Sequence, residues 1–369
     1  MKYILHIAAK LDIGGAEKVA RDIGLYSDPE VYQHHYVVFW PETGAYEPQL
    51  TEHGCKVFHI APPGKSYRKF LKELKGLMEE VPYTAVHAHT MFNAGWAMWA
   101  AKQRKVPVRV AHAHSALTEK RNWLVQVYET GMRLLILTCA TDLVACGEKA
   151  GIRLFGRSAY QNRAQLILNG IDTERFRFDP KSRDRMRKQL GLENCFVIGH
   201  AGHLAKVKNQ QYLLKLMPEI LKSKPNAKLL LLGEGPDRPM LEKMIEALGL
   251  ADSVLMTGNV INVPDYLSAM DVFAFPSLYE GMPLSIVEVQ TNGLPCILSS
   301  GVPEDVYLTD LVIPLSLDAP DKWLEAILNS GRNVSESYAG LVKTLGLDVS
   351  NAMDMIYGIY EKNKNPVLY

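Results

Sequence analysis

At 369 residues the chain exceeds one ordinary hydrophobic core and predicts two domains of roughly 150 to 200 residues each. Hydrophobic residues at 47% and charged residues at 22% supply apolar surface for two cores and exclude a disordered or low-complexity protein. A formal net charge of +1 gives no global field to hold nucleic acid, so no nucleic-acid partner is expected and any basic patch must be local.

The N-terminal "MKYILHIAAKLDIGG" meets Lys10 and Asp12 before a signal-peptide core is complete, so it reads as a first strand. A helix from Ala16 towards Tyr26 follows, then the strands "HHYVVFW" and "CKVFHI", a helix near Lys65 to Glu80, "AVHAH", a helix through "AGWAMWAAKQRK", and "VRVAHAH". A long amphipathic helix is expected over Ala116 to Leu137, then the strands "DLVAC" and "QLILNG". Strands separated by helices predict a parallel sheet, and this first domain is expected to span residues 1–171. Residues 172–194 are charged, carry one proline and read as a linker leading into a short helix. A second series occupies 195–348: "CFVIGHAG", a helix from Asn209 to Leu221, "AKLLLLGEG", a helix from Pro239 to Leu248, "SVLMTG", "DVFAFPS", a helix from Pro283 to Thr291, "PCILSS" and "LVIPLS". Two such α/β units imply a cleft between them. A final helix within 349–369 spaces Ala352, Met355, Ile356 and Ile359 at the helical period and is expected to pack against a neighbour. The five scattered cysteines, never spaced Cys-x-x-Cys, fit free thiols in a reducing compartment. No stretch approaches the eighteen or so apolar residues of a membrane span, so a cytoplasmic protein, soluble or peripheral, is expected.

Unusual residues gather where strands run into helices, the place where open parallel sheets collect ligand groups. In "LDIGGAEKVA", Gly14 and Gly15 precede a helix whose first amides could meet an anion, although a plain tight turn gives the same pattern. In "GHAGHLAKVKNQQYLL", His203, Lys206 and Lys208 set donors over a helix start, as a solvated lysine turn also would. The most specific stretch is "FPSLYEGMPLSIVEVQTNGLP": Gly281 and Pro283 shape a loop, and Glu280 and Glu288 flank an exposed helix N-terminus. The carboxylates could bind sugar hydroxyls while amides near Leu284 and Ser285 hold a phosphate; a capping carboxylate beside an exposed helical glutamate is the plainer account.

With "ILNGID", "GEGP", "LEKMIEALGL" and "TGNVINVPDYLSAMDVFAFPSLYEGMPLSIVEVQTNGLPCI" occurring in order, the second half resembles the donor-binding domain of retaining glycosyltransferases of family 4, which have the GT-B fold. With the Gly-Gly loop and the "HAHS" strand end, the resemblance covers nearly the whole chain and points to enzymes of bacterial exopolysaccharide or capsule synthesis. It implies α/β architecture in two Rossmann-like domains, the first binding the acceptor and the second a nucleotide-sugar donor, UDP-sugar favoured, with the C-terminal helix returning toward the first. By resemblance Glu280 would bond the donor sugar's hydroxyls and Glu288 the ribose. The backbone of Gly281, Met282, Pro283, Leu284 and Ser285 would face sugar and diphosphate, Gly15 beside Gly14 would approach the diphosphate, and the backbone near Val260 would meet the base. Lys208 matches the phosphate-neutralising lysine, but the usual partnering arginine is His203, a donor without a permanent charged fork. The departing diphosphate would also accept the acceptor hydroxyl's proton, so stabilising charge on it is the main catalytic task. No Asp-x-Asp motif occurs, and neither metal nor other cofactor is required.

The triplets "AVHAHT" and "VAHAHS" put His87, His89, His112 and His114 at strand ends. The resemblance makes His114 the first choice beside donor sugar and acceptor, with His112 second and His89 and His87 as acceptor-side candidates. Since residues i and i+2 of a strand share a face, the pairs could instead hold zinc in a metal-dependent hydrolase. A non-catalytic nucleotide-sugar-binding homologue is a further alternative. Finally, Lys65, Arg68, Lys69, Lys72 and Lys75 interleave with Phe70, Leu71 and Leu74 in a basic amphipathic helix that could rest on an anionic membrane and serve a lipid-linked saccharide acceptor. An ordinary solvated helix face fits the same residues.

Overall fold

The computed structural model describes residues 1–115, 122–332 and 338–362. They fall into two compact units: Met1–Gly170 with the described part of Val349–Tyr369, and Ile171–Asp348. No helix among the described residues is long and apolar enough to cross a membrane.

The first unit runs β1 (Lys2–Ile7), α1 (Gly15–Leu25), β2 (Tyr32–Val38), α2 (Glu47–Glu52), β3 (Lys56–His59), α3 (Tyr67–Glu80), β4 (Tyr83–Ala88), α4 (Ala94–Gln103), β5 (Val108–Ala113), α5 (Trp123–Cys139), β6 (Asp142–Ala145), α6 (Glu148–Phe155), α7 (Arg157–Arg163) and β7 (Ala164–Leu166). The strands form one parallel sheet in the order β3-β2-β1-β4-β5-β6-β7. The two-residue period of a strand divides it into two faces. Leu5, Ile7, Val86, Ala88, Ala111 and Ala113 pack into a core with Phe70, Leu74, Ala97, Met98 and Ile136 of the helices on one side. Ile4, Ala85, Val108 and Val110 pack on the other with Ile23, Ile356 and Tyr360.

The segment expected to be helical from Ala116 begins as α5 at Trp123, where the Asn122 side chain accepts from the Val125 amide at 3.0 Å and supplies an N-cap. Residues 116–121 of that expectation lie outside those described.

The second unit contains α8 (Pro180–Leu190), β8 (Phe196–Ala201), α9 (Gln210–Ser223), β9 (Ala227–Leu232), α10 (Arg238–Ala247), β10 (Val254–Gly258), α11 (Val263–Ala269), β11 (Val272–Phe275), α12 (Leu284–Thr291), β12 (Cys296–Ser299), β13 (Val312–Leu315), α13 (Pro320–Asn329) and α14 (Ala339–Thr344). Its parallel sheet has the order β10-β9-β8-β11-β12-β13, with Phe273 and Phe275 on one face and Val272 and Ala274 on the other. Within 172–194, α8 is built into this unit. Arg183 donates to the carbonyls of Ser268 and Met270 at 3.0 and 2.9 Å, and Arg187 to the carbonyl of Ala269 at 3.0 Å and to Asp271 at 3.2 Å. Asp271 also accepts from the Val197 amide at 2.7 Å, so one carboxylate ties α8 to β8.

The last helix, α15 (Val349–Glu361), belongs to the first unit. Its buried face is Ala352, Met353, Ile356, Ile359 and Tyr360. Met355, expected on that face, is 47% exposed; Met353 takes its place because the stripe is completed by Val349 and Tyr360.

Candidate functional site

In the second unit β8, β11 and β12 carry the loops that hold the candidate donor residues. After Phe275 the chain is pinned on both sides: Leu278 N–H donates to the Val207 carbonyl at 2.7 Å, Glu280 N–H to the Gly301 carbonyl at 3.0 Å, and Asn209 Nδ2 to the Pro276 carbonyl at 3.1 Å. Gly301 is needed for this approach, since a Cβ there would lie 2.4 Å from the Leu278 carbonyl oxygen. The loop therefore presents Glu280 in one place. Lys208 Nζ meets Glu280 Oε1 at 2.7 Å and lies 4.8 Å from the centre of the Phe275 ring. Both side chains are largely buried, 18% and 11% exposed, so this is a charge-assisted contact in a shielded setting.

The loop then enters α12 through Pro283, whose extended backbone starts the helix with no side-chain cap and no acidic residue in the first turn. Amides at Leu284 and Ser285 carry the partial positive charge of a helix start. Gly281 is exposed, Met282, Leu284 and Ser285 are half-buried, Pro283 is buried, and Val260 packs half-buried against the same core. Glu288, in the second turn, is 9% exposed. His203 is exposed, and its carbonyl accepts from Gln210 Nε2 at 3.0 Å. Sequence reasoning missed His200 behind this loop, where Nδ1 meets the Ala274 carbonyl at 3.0 Å and Nε2 meets Gln210 Nε2 at 3.2 Å. Burial pushes His200 down to about 4, and the Lys208 charge acts in the same direction against the Ala274 bond. The alternation of "FVIGHA" was the available signal: His200 shares its strand face with Ile198.

In the first unit the parallel register stacks the histidine triplets. His6 pairs with His87 in register and His87 with Val110, so His6, His87 and His112 share the face of Ile4, Ala85 and Val110, and His89 and His114 follow two residues on. His34, opposite Ile4 on β2, joins them. Two hydrogen-bonded strings result. One runs from His34 Nδ1 to His6 Nε2 (2.8 Å), from His6 Nδ1 to His89 Nε2 (3.2 Å), and from His89 Nδ1 to His114 Nε2 (2.9 Å). The other runs from Tyr360 Oη to His87 Nδ1 (2.6 Å) and from His87 Nε2 to His112 Nδ1 (3.1 Å). Burial holds all six imidazoles well below their ordinary value, His34 and His114 at about 3, with neighbouring imidazoles adding to the effect for His6, His34, His87, His89 and His112. They are therefore neutral at pH 7. His6 and His34 were not anticipated, because the lone histidine of "YILHIAA" and the adjacent pair of "YQHHYVV" lack the His-x-His spacing. The trios His6–His87–His89 and His89–His112–His114 bring ligand nitrogens within 4.8 Å of one another, a spacing that could hold a transition metal.

His112 is fully buried within β5, whereas His114 lies half-buried past the strand end. At the start of α1, Gly14 is extended, a Cβ there would meet the Glu17 carboxylate, and Gly15 has no atom within 4 Å of the Cβ position. Burial raises the Glu17 carboxyl. On α3, Phe70, Leu71 and Leu74 lie in the unit's core, so the apolar face expected for a membrane is spent inside the fold. Lys65, Arg68, Lys69 and Lys72 remain exposed, and Lys75 sits 4.2 Å from the Trp99 ring centre.

Residues 13–175 match the model of Glycosyltransferase Family 4, and residues 182–321 that of the glycosyl transferases group 1. The chain is 33% identical to "Putative glycosyltransferase EpsF" of Bacillus subtilis across 99% of this chain and 98% of that protein. It is 24% identical to the capsular polysaccharide biosynthesis glycosyltransferase CapH of Staphylococcus aureus over 88% of this chain and 89% of that one. Among solved structures, Anabaena Alr3699/HepE in complex with UDP-glucose superposes with a TM-score of 0.76 at 22% identity, covering 97% of this chain and 99% of the other. The chain therefore belongs to the family 4 glycosyltransferases, a GT-B protein of two Rossmann-like units related to those of exopolysaccharide and capsule synthesis.

Proposed function

We propose that the protein is a retaining, metal-independent hexosyltransferase that moves a sugar from a nucleotide-sugar donor, UDP-sugar favoured, to a saccharide or lipid-linked saccharide in cell-surface polysaccharide synthesis. The observation that carries this reading is the Lys208–Glu280 pair at 2.7 Å on a pinned loop that leads into the uncapped start of α12, which also bears Glu288. Lys208 and the α12 amides offer positive charge for a departing diphosphate, and Glu280 and Glu288 offer acceptors for sugar and ribose hydroxyls. His203 stands where a second cation is expected and adds a donor. In this scheme the bond from anomeric carbon to phosphate oxygen breaks, the acceptor oxygen bonds to that carbon, and its proton passes to the departing phosphate. His114 is assigned to the ligand in the first unit.

Support for UDP and for a lipid-linked acceptor comes from the relatives. HepE has been solved with UDP and with UDP-glucose, and an Escherichia coli relative, 30% identical over 63% of this chain, is named a UDP-Gal:alpha-D-GlcNAc-diphosphoundecaprenol alpha-1,3-galactosyltransferase. Mycobacterial relatives named GDP-mannose-dependent mannosyltransferases make GDP-mannose the control donor. A peripheral position at the inner membrane face is part of the proposal. Its support is the exposed basic side of α3 next to an aromatic set, Tyr67 stacked on Trp96 and Trp96 bonded to Tyr128, that leads to exposed Trp123, Leu124 and Val127 on α5.

The test is turnover of UDP-glucose, UDP-galactose, UDP-N-acetylglucosamine and GDP-mannose by the purified protein with chelator present, with the anomeric configuration of the product read by NMR. Retained configuration with a UDP-sugar is expected. Binding without turnover would identify a non-catalytic homologue, and an inverted product or an absolute need for metal would overturn the mechanism.

A further inference from the structure

The string His34–His6–His89–His114 has a property that its members do not have singly. A neutral imidazole carries one N–H and one lone pair, and here every ring-to-ring contact joins an Nδ1 to an Nε2. Four neutral rings can make all three bonds in only two ways. Either every ring is protonated on Nδ1 or every ring is protonated on Nε2; a mixed string sets two N–H groups or two lone pairs against each other and loses a bond. The two ends decide between them. His34 Nε2 and His114 Nδ1 are both buried with no hydrogen-bond partner among the described residues. One end must hold the N–H and the other the lone pair, and an unpaired buried N–H is the rarer and costlier of the two. His34 is 1% exposed, whereas His114 lies half-buried past the end of β5. Both end atoms are themselves shielded, but the His114 ring is the half-buried end of the string, past the strand, so the N–H is assigned to His114 and the lone pair to the enclosed His34.

We propose that His34, His6 and His89 are positioning residues that lock the tautomer of His114, so that this imidazole meets a ligand oxygen only through an Nδ1–H donor. The depressed pKa of each ring keeps a stray proton from breaking the string at neutral pH. Functionally, His114 then donates a hydrogen bond at Nδ1 and cannot take a proton there, which agrees with leaving the acceptor's proton to the diphosphate. That consequence rests on the proposed role of His114; the tautomer itself does not.

The experiment is long-range 1H–15N correlation on protein labelled at histidine, with no ligand, at neutral pH. His34, His6, His89 and His114 should all appear as Nδ1–H tautomers, with couplings across the N···N contacts. In His34→Asp, an acceptor-only group faces His6 Nε2, so the whole string should reverse and His114, three rings away, should switch to Nε2–H. A merely structural role for His34 predicts no change at His114. An Nε2–H tautomer of His114 in the wild type, which needs no variant to fold, would overturn the proposal. So would a reversed His6 beside an unchanged His114 in His34→Asp. Stoichiometric zinc on either histidine trio would overturn it as well, because the metal would take the lone pairs the string uses. Turnover of His114→Ala separates the two readings: unchanged turnover removes the functional role and leaves the tautomer result standing.

Discussion

The Lys208–Glu280 contact sets the expectations for single residues. The two groups were assigned to different parts of the donor, phosphate and sugar, and the fold joins them within one shielded ion pair. Removing one partner leaves the other charge largely buried and unpaired. Glu280→Ala should therefore lower turnover, by about ten- to a hundredfold if one charge-assisted bond of roughly 1.5–3 kcal/mol is lost in the transition state, with nucleotide affinity little changed. Glu288→Ala should do the reverse and weaken UDP binding by a similar factor. Calorimetry with UDP beside steady-state kinetics checks both, and unchanged UDP affinity in Glu288→Ala would contradict the ribose assignment. Both glutamates were legible in the sequence because the helix start was marked by Pro283 and its end by Asn292-Gly293. The ion pair was not, because residues 72 positions apart meet only when β8 and β11 lie side by side.

At the scale of elements, α3 shows how a periodic pattern can be read correctly and assigned to the wrong neighbour. Its apolar stripe is real, but Phe70, Leu71 and Leu74 face the sheet, so only the cationic side is left for a surface. A membrane contact then depends on charge plus the exposed Trp123, Leu124 and Val127 of α5, and it should be salt-sensitive. The protein should float with vesicles containing anionic phospholipid at low salt and release as salt rises. Lys65, Arg68, Lys69 and Lys72 changed together to glutamine should weaken flotation by at least tenfold, since each basic residue near such a surface contributes about 1 kcal/mol. Absence of flotation at low salt would remove the peripheral part of the proposal. The helix α8 carries a similar lesson. Charge and a lone proline suggested a connector, whereas Asp271 and the carbonyls at the C-terminal end of α11 convert its arginines into anchors.

For the molecule as a whole, the six neutral histidines of the two strings, together with His35 and His200, both lowered to about 4, impose a pH dependence on stability. Each has a folded pKa below its unfolded value of about 6.5, so below that pH the unfolded chain binds more protons and folding loses free energy. The sign is fixed: stability is complete above about pH 7 and falls as pH drops through 6.5 toward the folded values, about 3 for His34 and His114. Each ring contributes up to roughly 1.4 kcal/mol per pH unit in that range. Calorimetric unfolding followed from about pH 8 to 5 should show a constant midpoint and then a steep decline. A midpoint unchanged down to pH 5 would mean that the imidazoles are not buried as a neutral cluster.

The order of the strands, both parallel series and the loop and helix start carrying Glu280 and Glu288 were determined by sequence alone, since periodicity, proline and glycine positions and motif order act over short distances, whereas the helices α2, α6, α7, α13 and α14 were not anticipated. The neighbours were decided only by tertiary structure. "HAHT" and "HAHS" specified which way their side chains alternate, but not that the register of β1, β2, β4 and β5 would bring His6 and His34 into line with them. Likewise the spacing of α15 implied a buried stripe, while the choice of Met353 and Tyr360 over Met355 depended on the surface it met. Hydrogen bonds between imidazoles up to 83 residues apart are properties of a packed sheet, and no local pattern in the chain encodes them.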